Sequence, residues 1–183
     1  MRKILNIFAL LMAGMLIANT IPTTAEAHGP TRQKVKHSVT INASPDKVWD
    51  AIKNFGDLNW HPIVEKTEGK GGNEVDATRV LKLKGGATID EILYNYSDED
   101  KSYSYRITKV DVKVLPVNNY SSTISVSEAD GGKTTITWKG AFYRGYMNND
   151  PPEDLNDAAA KKAVMGIYTS GLEALKKKIE GGS

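Results

Sequence analysis

"NNDPPEDLNDAAAKKAVMGIYTSGLEALKKKIEGG", residues 148–182, is the stretch that decides the fold. It opens with Pro151, Pro152, Glu153 and Asp154 and closes with Lys176, Lys177 and Lys178 ahead of Gly181. Acids at the start and cations at the end suit the dipole of one long helix. Val164, Ile167, Tyr168, Gly171, Leu172, Leu175 and Ile179 recur as one apolar stripe. A helix from Glu153 to Ile179 would run about 40 Å at 1.5 Å per residue. That length crosses a whole sheet of roughly five to seven strands.

Upstream the pattern is mostly extended. Val35, His37, Val39 and Ile41 alternate with polar residues, as in a strand with one buried face. "ASPDKVWDAIKNFGD" (43–57) then predicts a short helix: Ser44 as N-cap, Pro45 in the first turn, Val48, Trp49, Ile52 and Phe55 on one face, and Gly56 as its end. Strands follow at Val64–Glu68, "ATRVLKLK" (77–84), "TIDEILYNYS" (88–97) and "SYSYRITKV" (102–110). "LPVNNY" (115–120) reads as an interruption before "SSTISVSE" (121–128). "ADGGK" turns the chain into "TTITWKGAFY" (134–143). The β-branched and aromatic content favours strands. The plan is α+β: a strand, a short helix, about six antiparallel strands, and a long helix laid on one sheet face. One helix covers a wide twisted sheet poorly, so a gap between them is expected, and a ligand could sit there.

The first residues read differently. Arg2 and Lys3 precede an apolar run from Ile4 to Ala18, and a polar stretch ends Ala25-Glu26-Ala27. This is the three-part pattern of a secretory signal cleaved after Ala27. The run is shorter than the roughly 20 residues of a membrane span, so no stable membrane anchor is expected after cleavage. The mature chain would begin at His28, with 28–34 a flexible lead-in and 35–180 one domain, in the periplasm. Without Arg2, Lys3 and Glu26, 22 basic and 21 acidic side chains remain. Such a balance gives no reason to expect a nucleic-acid partner. The chain has no cysteine, which excludes a disulfide framework, thiol redox chemistry and CxxCH haem attachment.

Chemistry-bearing patterns are few. There is no GxSxG or HExxH motif. His61 sits in "NWHPIV" (59–64), where Pro62 keeps it out of a helix. It reads as a capped corner histidine, a cavity-lining polar group, or a metal ligand or base. The last needs partners that His28 and His37 do not offer at ligand spacing. A mature N-terminal His28 could chelate copper through its amine and imidazole, but it lacks a second histidine nearby. Asp90 and Glu91 adjoin in a strand and so point to opposite faces. Glu91, on the face of Ile89 and Leu93, is the cavity candidate and would need Arg106 or a tyrosine hydroxyl as partner. No catalytic residue, metal or cofactor is assigned. Eight tyrosines against three phenylalanines suit half-wet surfaces such as cavity walls and interfaces. The link "FYRGYMNNDPPED" (142–154) makes Tyr143, Arg144 and Tyr146 the expected partner contacts.

"VTINASPDKVWDAIKNFGDLNWHP" (39–62), "TIDEILYNYSDEDKSYSYRI" (88–107), "TTITWKGAFY" and the terminal helix resemble the helix-grip superfamily, the START-like or Bet v 1-like domains that include polyketide cyclase/dehydrase-type proteins. The resemblance covers essentially the whole mature chain. "HGPTRQKV" (28–35), "WHP" (60–62) and "LPVNNYSST" (115–123) are similar to the periplasmic MxaD-type branch of methylotrophic bacteria. The resemblance implies a curved antiparallel sheet of six or seven strands gripping the last helix. It places Trp60 as the plug of the cavity mouth, and Trp60, His61, Glu91, Tyr105, Trp138, Met165 and Tyr168 are the residues expected around the cavity. It further implies a non-enzymatic accessory of methanol oxidation, partnered by a quinoprotein methanol dehydrogenase or its cytochrome c. The alternatives are a carrier or sensor of a small apolar ligand, and a cyclase-like enzyme.

Overall fold

The computed structural model describes residues 29–181. The expected signal peptide, its cleavage point and His28 lie outside these residues. Seven strands, β1 (Gln33–Ile41), β2 (Val64–Lys70), β3 (Thr78–Leu83), β4 (Thr88–Ser97), β5 (Ser102–Val110), β6 (Val117–Ala129) and β7 (Lys133–Arg144), form one antiparallel sheet. Their order is β1-β7-β6-β5-β4-β3-β2, so every pairing but β1 with β7 joins chain neighbours. Helix α1 (Pro45–Asp50) follows β1, and α2 (Asp157–Gly181) ends the chain. This is the helix-grip architecture that the sequence predicts. No helix among the described residues is long and apolar enough to cross a membrane.

The stripe on α2 drives the packing. Ala160, Val164, Tyr168, Gly171, Leu172, Leu175 and Ile179 are buried, while Ile167 is half-buried. They meet the inward row of β1, with Val35, Val39 and Ile41, and the inward row of β7, with Ile136, Trp138 and Phe142. Burying a residue such as Leu172 contributes about 1.5–3 kcal/mol.

Four local readings change. The lead-in ends sooner, because Gln33 and Lys34 already belong to β1, opposite Phe142 and Ala141. Helix α1 stops at Asp50 rather than Gly56. Its apolar face is buried as expected, but the Phe55 backbone is committed elsewhere. Its N–H donates to Asn73 Oδ1 at 2.8 Å, and its carbonyl accepts from Arg79 at 2.8 Å. Gly56 instead allows a close backbone approach, since a methyl on Gly69 would stand 2.6 Å from its Cα. "LPVNNY" does not interrupt the sheet: β6 starts at Val117, and Asn119 and Tyr120 form a bulge opposite Phe142. Asn119 has φ of 46°, and the bulge turns Tyr120 inward. Finally, Glu153–Leu155 is a separate 3-10 turn, and Asn156 is extended, so α2 begins at Asp157 and is about 37 Å long.

Candidate functional site: the gripped interior

The corner at Trp60-His61-Pro62 is built from the backbone outward. Leu58 N donates to Thr67 Oγ1 at 3.0 Å, and Thr67 N donates to Asn59 Oδ1 at 2.9 Å, fastening the bend to β2. His61 is then carried beneath α2 with only 1% of its surface exposed. Its Nε2 lies 3.0 Å from the Ile167 carbonyl, which can only accept, so Nε2 carries the proton. Its Nδ1 accepts from Ile63 N at 3.3 Å. Both nitrogens are used by a neutral ring. Burial pushes the imidazole below its usual range and the Arg79 charge adds to this, while the Ile167 bond opposes them. His61 is thus a capped corner histidine that also forms part of a cavity wall.

Around it lies an aromatic cluster. Trp138 stacks on Tyr168 at 4.6 Å between centroids, and Trp60 and His61 each sit 6.0 Å from Trp138. Trp138 Nε1 donates to Ser122 Oγ at 2.9 Å and reaches Tyr105 Oη at 3.1 Å. The hydroxyls can be ordered. Ser122 donates to the Lys139 carbonyl at 2.8 Å, so at 2.9 Å it accepts from Tyr168. Tyr168 in turn accepts from Tyr120 at 2.7 Å. Each proton in this chain has one place to go. Burial pushes the Tyr168 phenol up to about 12 and those of Tyr105 and Tyr120 well above their usual range. In all three, burial favours the protonated phenol.

Glu91 also faces inward, as expected, but its partner is Arg79 rather than Arg106. Arg79 Nε donates to Glu91 Oε2 at 2.6 Å, and both side chains are buried. The guanidinium lies 4.3 Å from the Phe55 ring centroid and 4.9 Å from that of Tyr105. Burial pushes the Glu91 carboxyl up, against the pull of Arg79. Arg106 is exposed on the other face, 5.9 Å from the Tyr94 ring. Arg79 was legible, since it shares the inward phase of β3 with Leu81 and Leu83. A basic residue in an exposed-looking run hid it.

The space left between helix and sheet is small. His61, Glu91, Tyr105 and Trp138 reach a cavity of about 30 Å³, lined otherwise by Tyr120 and by aliphatic side chains such as Leu81, Leu115 and Ile167. That is room for about one water, against roughly 300–1,000 Å³ for a small-molecule site. Trp60 and Tyr168 pack on Trp138 without lining it. Met165 does not belong to the cavity. It is 38% exposed, because it lies off the inward stripe of α2. Among the described residues, no three potential metal-ligating side chains gather.

The expected partner segment divides. Arg144 is buried and works inside the fold: Nε donates to the Tyr146 carbonyl at 2.8 Å and Nη2 to the Asn148 carbonyl at 2.9 Å. Nη1 stands 3.5 Å from Asp157 at the start of α2. It ties the link to the helix and is not available as a surface contact. Tyr143 and Tyr146 are half-buried, and the Arg32 guanidinium lies 5.6 Å from the Tyr143 ring.

Comparison with known proteins fits this architecture. Residues 32–180 match the family model described as polyketide cyclase / dehydrase and lipid transport. No curated protein matches the sequence significantly. Among solved structures, the protein XoxI from Bacillus cereus is 31% identical, with a TM-score of 0.68 over 80% of this chain and 94% of that one. An uncharacterised protein from Bacillus thuringiensis is also 31% identical, with a TM-score of 0.68 over 80% and 98%. Norcoclaurine synthase from Thalictrum flavum, bound to dopamine and hydroxybenzaldehyde, shares the fold at 16% identity, with a TM-score of 0.60 over 94% and 96%. With the family's pattern matched from the first strand through the last helix, the chain belongs to the polyketide cyclase/dehydrase and lipid transport family.

Proposed function

We propose that this protein is a periplasmic accessory of methanol oxidation that acts by binding and performs no chemistry of its own. Its partner would be a quinoprotein methanol dehydrogenase, its cytochrome c, or both. The observation that carries the binding role is the filled interior. Between helix and sheet, Trp138, Tyr168, Tyr105 and His61 occupy the space and leave about 30 Å³. Trp138 bonds to Tyr105 and, with Tyr168, to Ser122, His61 bonds to the backbone of Ile167 and Ile63, and Glu91 is tied to Arg79. A space of that size is far below what a small-molecule substrate needs, which favours a binding role over chemistry. The methanol assignment rests on the MxaD-like strings "HGPTRQKV", "WHP" and "LPVNNYSST", and the periplasmic one on the signal-like first 27 residues.

The test is methanol-dependent reduction of the cytochrome in the native host, with and without the gene. A lower rate at matched dehydrogenase and cytochrome levels is expected. An unchanged rate would overturn the proposal.

A carrier role is the second reading, favoured by the aliphatic lining of the cavity. A ligand would have to push the helix from the sheet or displace Trp138. Titrating a fatty acid or an aromatic probe should then shift tryptophan emission, and a flat titration argues against carriage. A cyclase-like enzyme stands third, on the single fact that Glu91 reaches the cavity wall.

A further inference from the structure

The sheet face turned away from α2 carries a feature that folding does not call for. Lys36 on β1 and Lys139 on β7 are direct cross-strand partners. Both are exposed, as is Lys34 two residues before Lys36. Like charges directly opposite one another destabilise a sheet. None of the three lysines is paired with a carboxylate of a described residue. Lysines on the edge strand β1 could be explained as protection against edge pairing. Lys139 could not, since β7 lies between β1 and β6.

These lysines rim a hollow of about 440 Å³. Its floor is short: Gly140, Ala141, Ser121 and Thr123. Its far wall is Tyr94, the extra residue in the bulge of β4 opposite β5, 41% exposed. No carboxylate lines it. Arg106 stands beside Tyr94, and Arg32 lies along the adjoining edge, where Nη2 donates to Ser121 Oγ at 3.0 Å. Positive charge is therefore concentrated on one face of a chain whose formal net charge is only +2.

We infer that this face is the docking surface for an acidic patch on a partner protein, an inference that rests on the accessory role proposed above. Charge complementarity selects the partner's sign. The chemistry also selects a protein surface. The rim is made of lysines, point charges on flexible stems, while the two forks that could clamp phosphate, Arg32 and Arg106, stand outside the hollow and do not line it. An exposed tyrosine, Tyr94, stands at the side, and tyrosine is enriched in protein interfaces. The tyrosines and Arg144 of the 142–154 link are not needed for it.

The experiment measures binding of the mature protein to purified methanol dehydrogenase and to its cytochrome, each as a function of salt. A triple variant, Lys34→Glu/Lys36→Glu/Lys139→Glu, is compared with Lys176→Glu/Lys177→Glu/Lys178→Glu at the end of α2. The first should weaken binding at least tenfold and flatten its salt dependence, and the second should not. Lys36→Glu alone supplies an internal check on folding. It turns a repulsive pair into an attractive one, so it should raise Tm while weakening binding. Binding unchanged by the first triple variant would overturn the surface but leave the accessory role standing. If the wild-type protein binds neither partner, the accessory role falls. The surface is then judged with poly-L-glutamate as probe, by amide shifts in the labelled protein. Shifts centred on Lys36, Thr123 and Lys139 support it, and shifts spread over all lysines overturn it.

Discussion

Gly171 of α2 lies directly against the imidazole of His61. A methyl on Gly171 would stand 2.5 Å from His61 Cδ2, 2.7 Å from Nε2 and 3.1 Å from Trp138 Cζ3. The helix accepts a poor helix former there so that the corner histidine can reach the Ile167 carbonyl. Gly140 does the same for the Tyr168 hydroxyl, which a Cβ on that strand would overlap. Two absent side chains are therefore part of how the interior is filled.

Gly171→Ala should destabilise the protein despite the better helix propensity of alanine. Overpacking costs about 1–3 kcal/mol, while the helix gains about 1 kcal/mol. Gly166, one turn earlier on the exposed side, has nothing within 4 Å of an added methyl. Gly166→Ala should stabilise by about 0.5–1 kcal/mol. Urea unfolding of the two variants should move the midpoint in opposite directions. A stabilised Gly171→Ala would show that the His61–α2 contact is loose.

The buried histidine gives the fold a pH dependence. In the folded chain His61 holds its proton less tightly than the ordinary histidine value of 6.5, because burial disfavours the charge. Below that value the unfolded chain binds a proton that the folded chain refuses. The unfolded state then binds more protons, so stability falls as pH falls. The contribution is complete above about pH 6.5 and is lost progressively below it, through the lowered folded-state value. Unfolding free energies measured between pH 7.5 and 5 should decline in the wild-type protein and decline less in His61→Gln. Parallel declines would mean that another group is responsible.

Leu172→Asp tests the grip itself. Leu172 is fully buried on the inward stripe of α2. The substitution removes about 1.5–3 kcal/mol of burial and adds an unpaired carboxylate, so several kcal/mol should be lost. Circular dichroism and calorimetry would report it. A variant that melts like the wild type would mean that the helix does not hold the sheet.

The periodicities that set the fold were on the surface of the sequence. Strand alternation and the α2 stripe each depend on which residues avoid water, and the burial pattern follows them. What remained hidden depends on contacts far along the chain. Phe55 gives its N–H to Asn73 rather than to a carbonyl four residues back, which is incompatible with α1 running on to Gly56, and nothing within residues 43–57 says so. The bulge at Asn119 kept Val117–Tyr120 in the sheet, where "LPVNNY" reads as an interruption. At the site, the inward phases of Glu91 and Arg79 were legible, but that the two meet was not. Arg79 is 12 residues away in sequence, and only pairing register sets it directly opposite Glu91. Met165, expected around the cavity, lies off the apolar stripe that the sequence itself shows, and its phase on α2 puts it outside.

The Arg79–Glu91 pair should behave as a unit. Two opposite charges buried together give little net stability, but removing one leaves the other without compensation. Glu91→Gln should therefore cost about 3–5 kcal/mol, with the guanidinium held only by the Phe55 carbonyl and the flanking rings. Arg79→Met alone should cost a similar amount or drive Glu91 to take up a proton. The double variant Arg79→Met/Glu91→Leu should recover most of the loss, since an apolar pair of similar volume suits a core of Phe55, Tyr103 and Tyr105. Chemical unfolding of the two single variants and the double closes the cycle, and the difference from additivity is the coupling between the side chains. Additive losses would mean that the pair is not a closed structural unit. Glu91 would then be the first residue to test for a role inside the cavity.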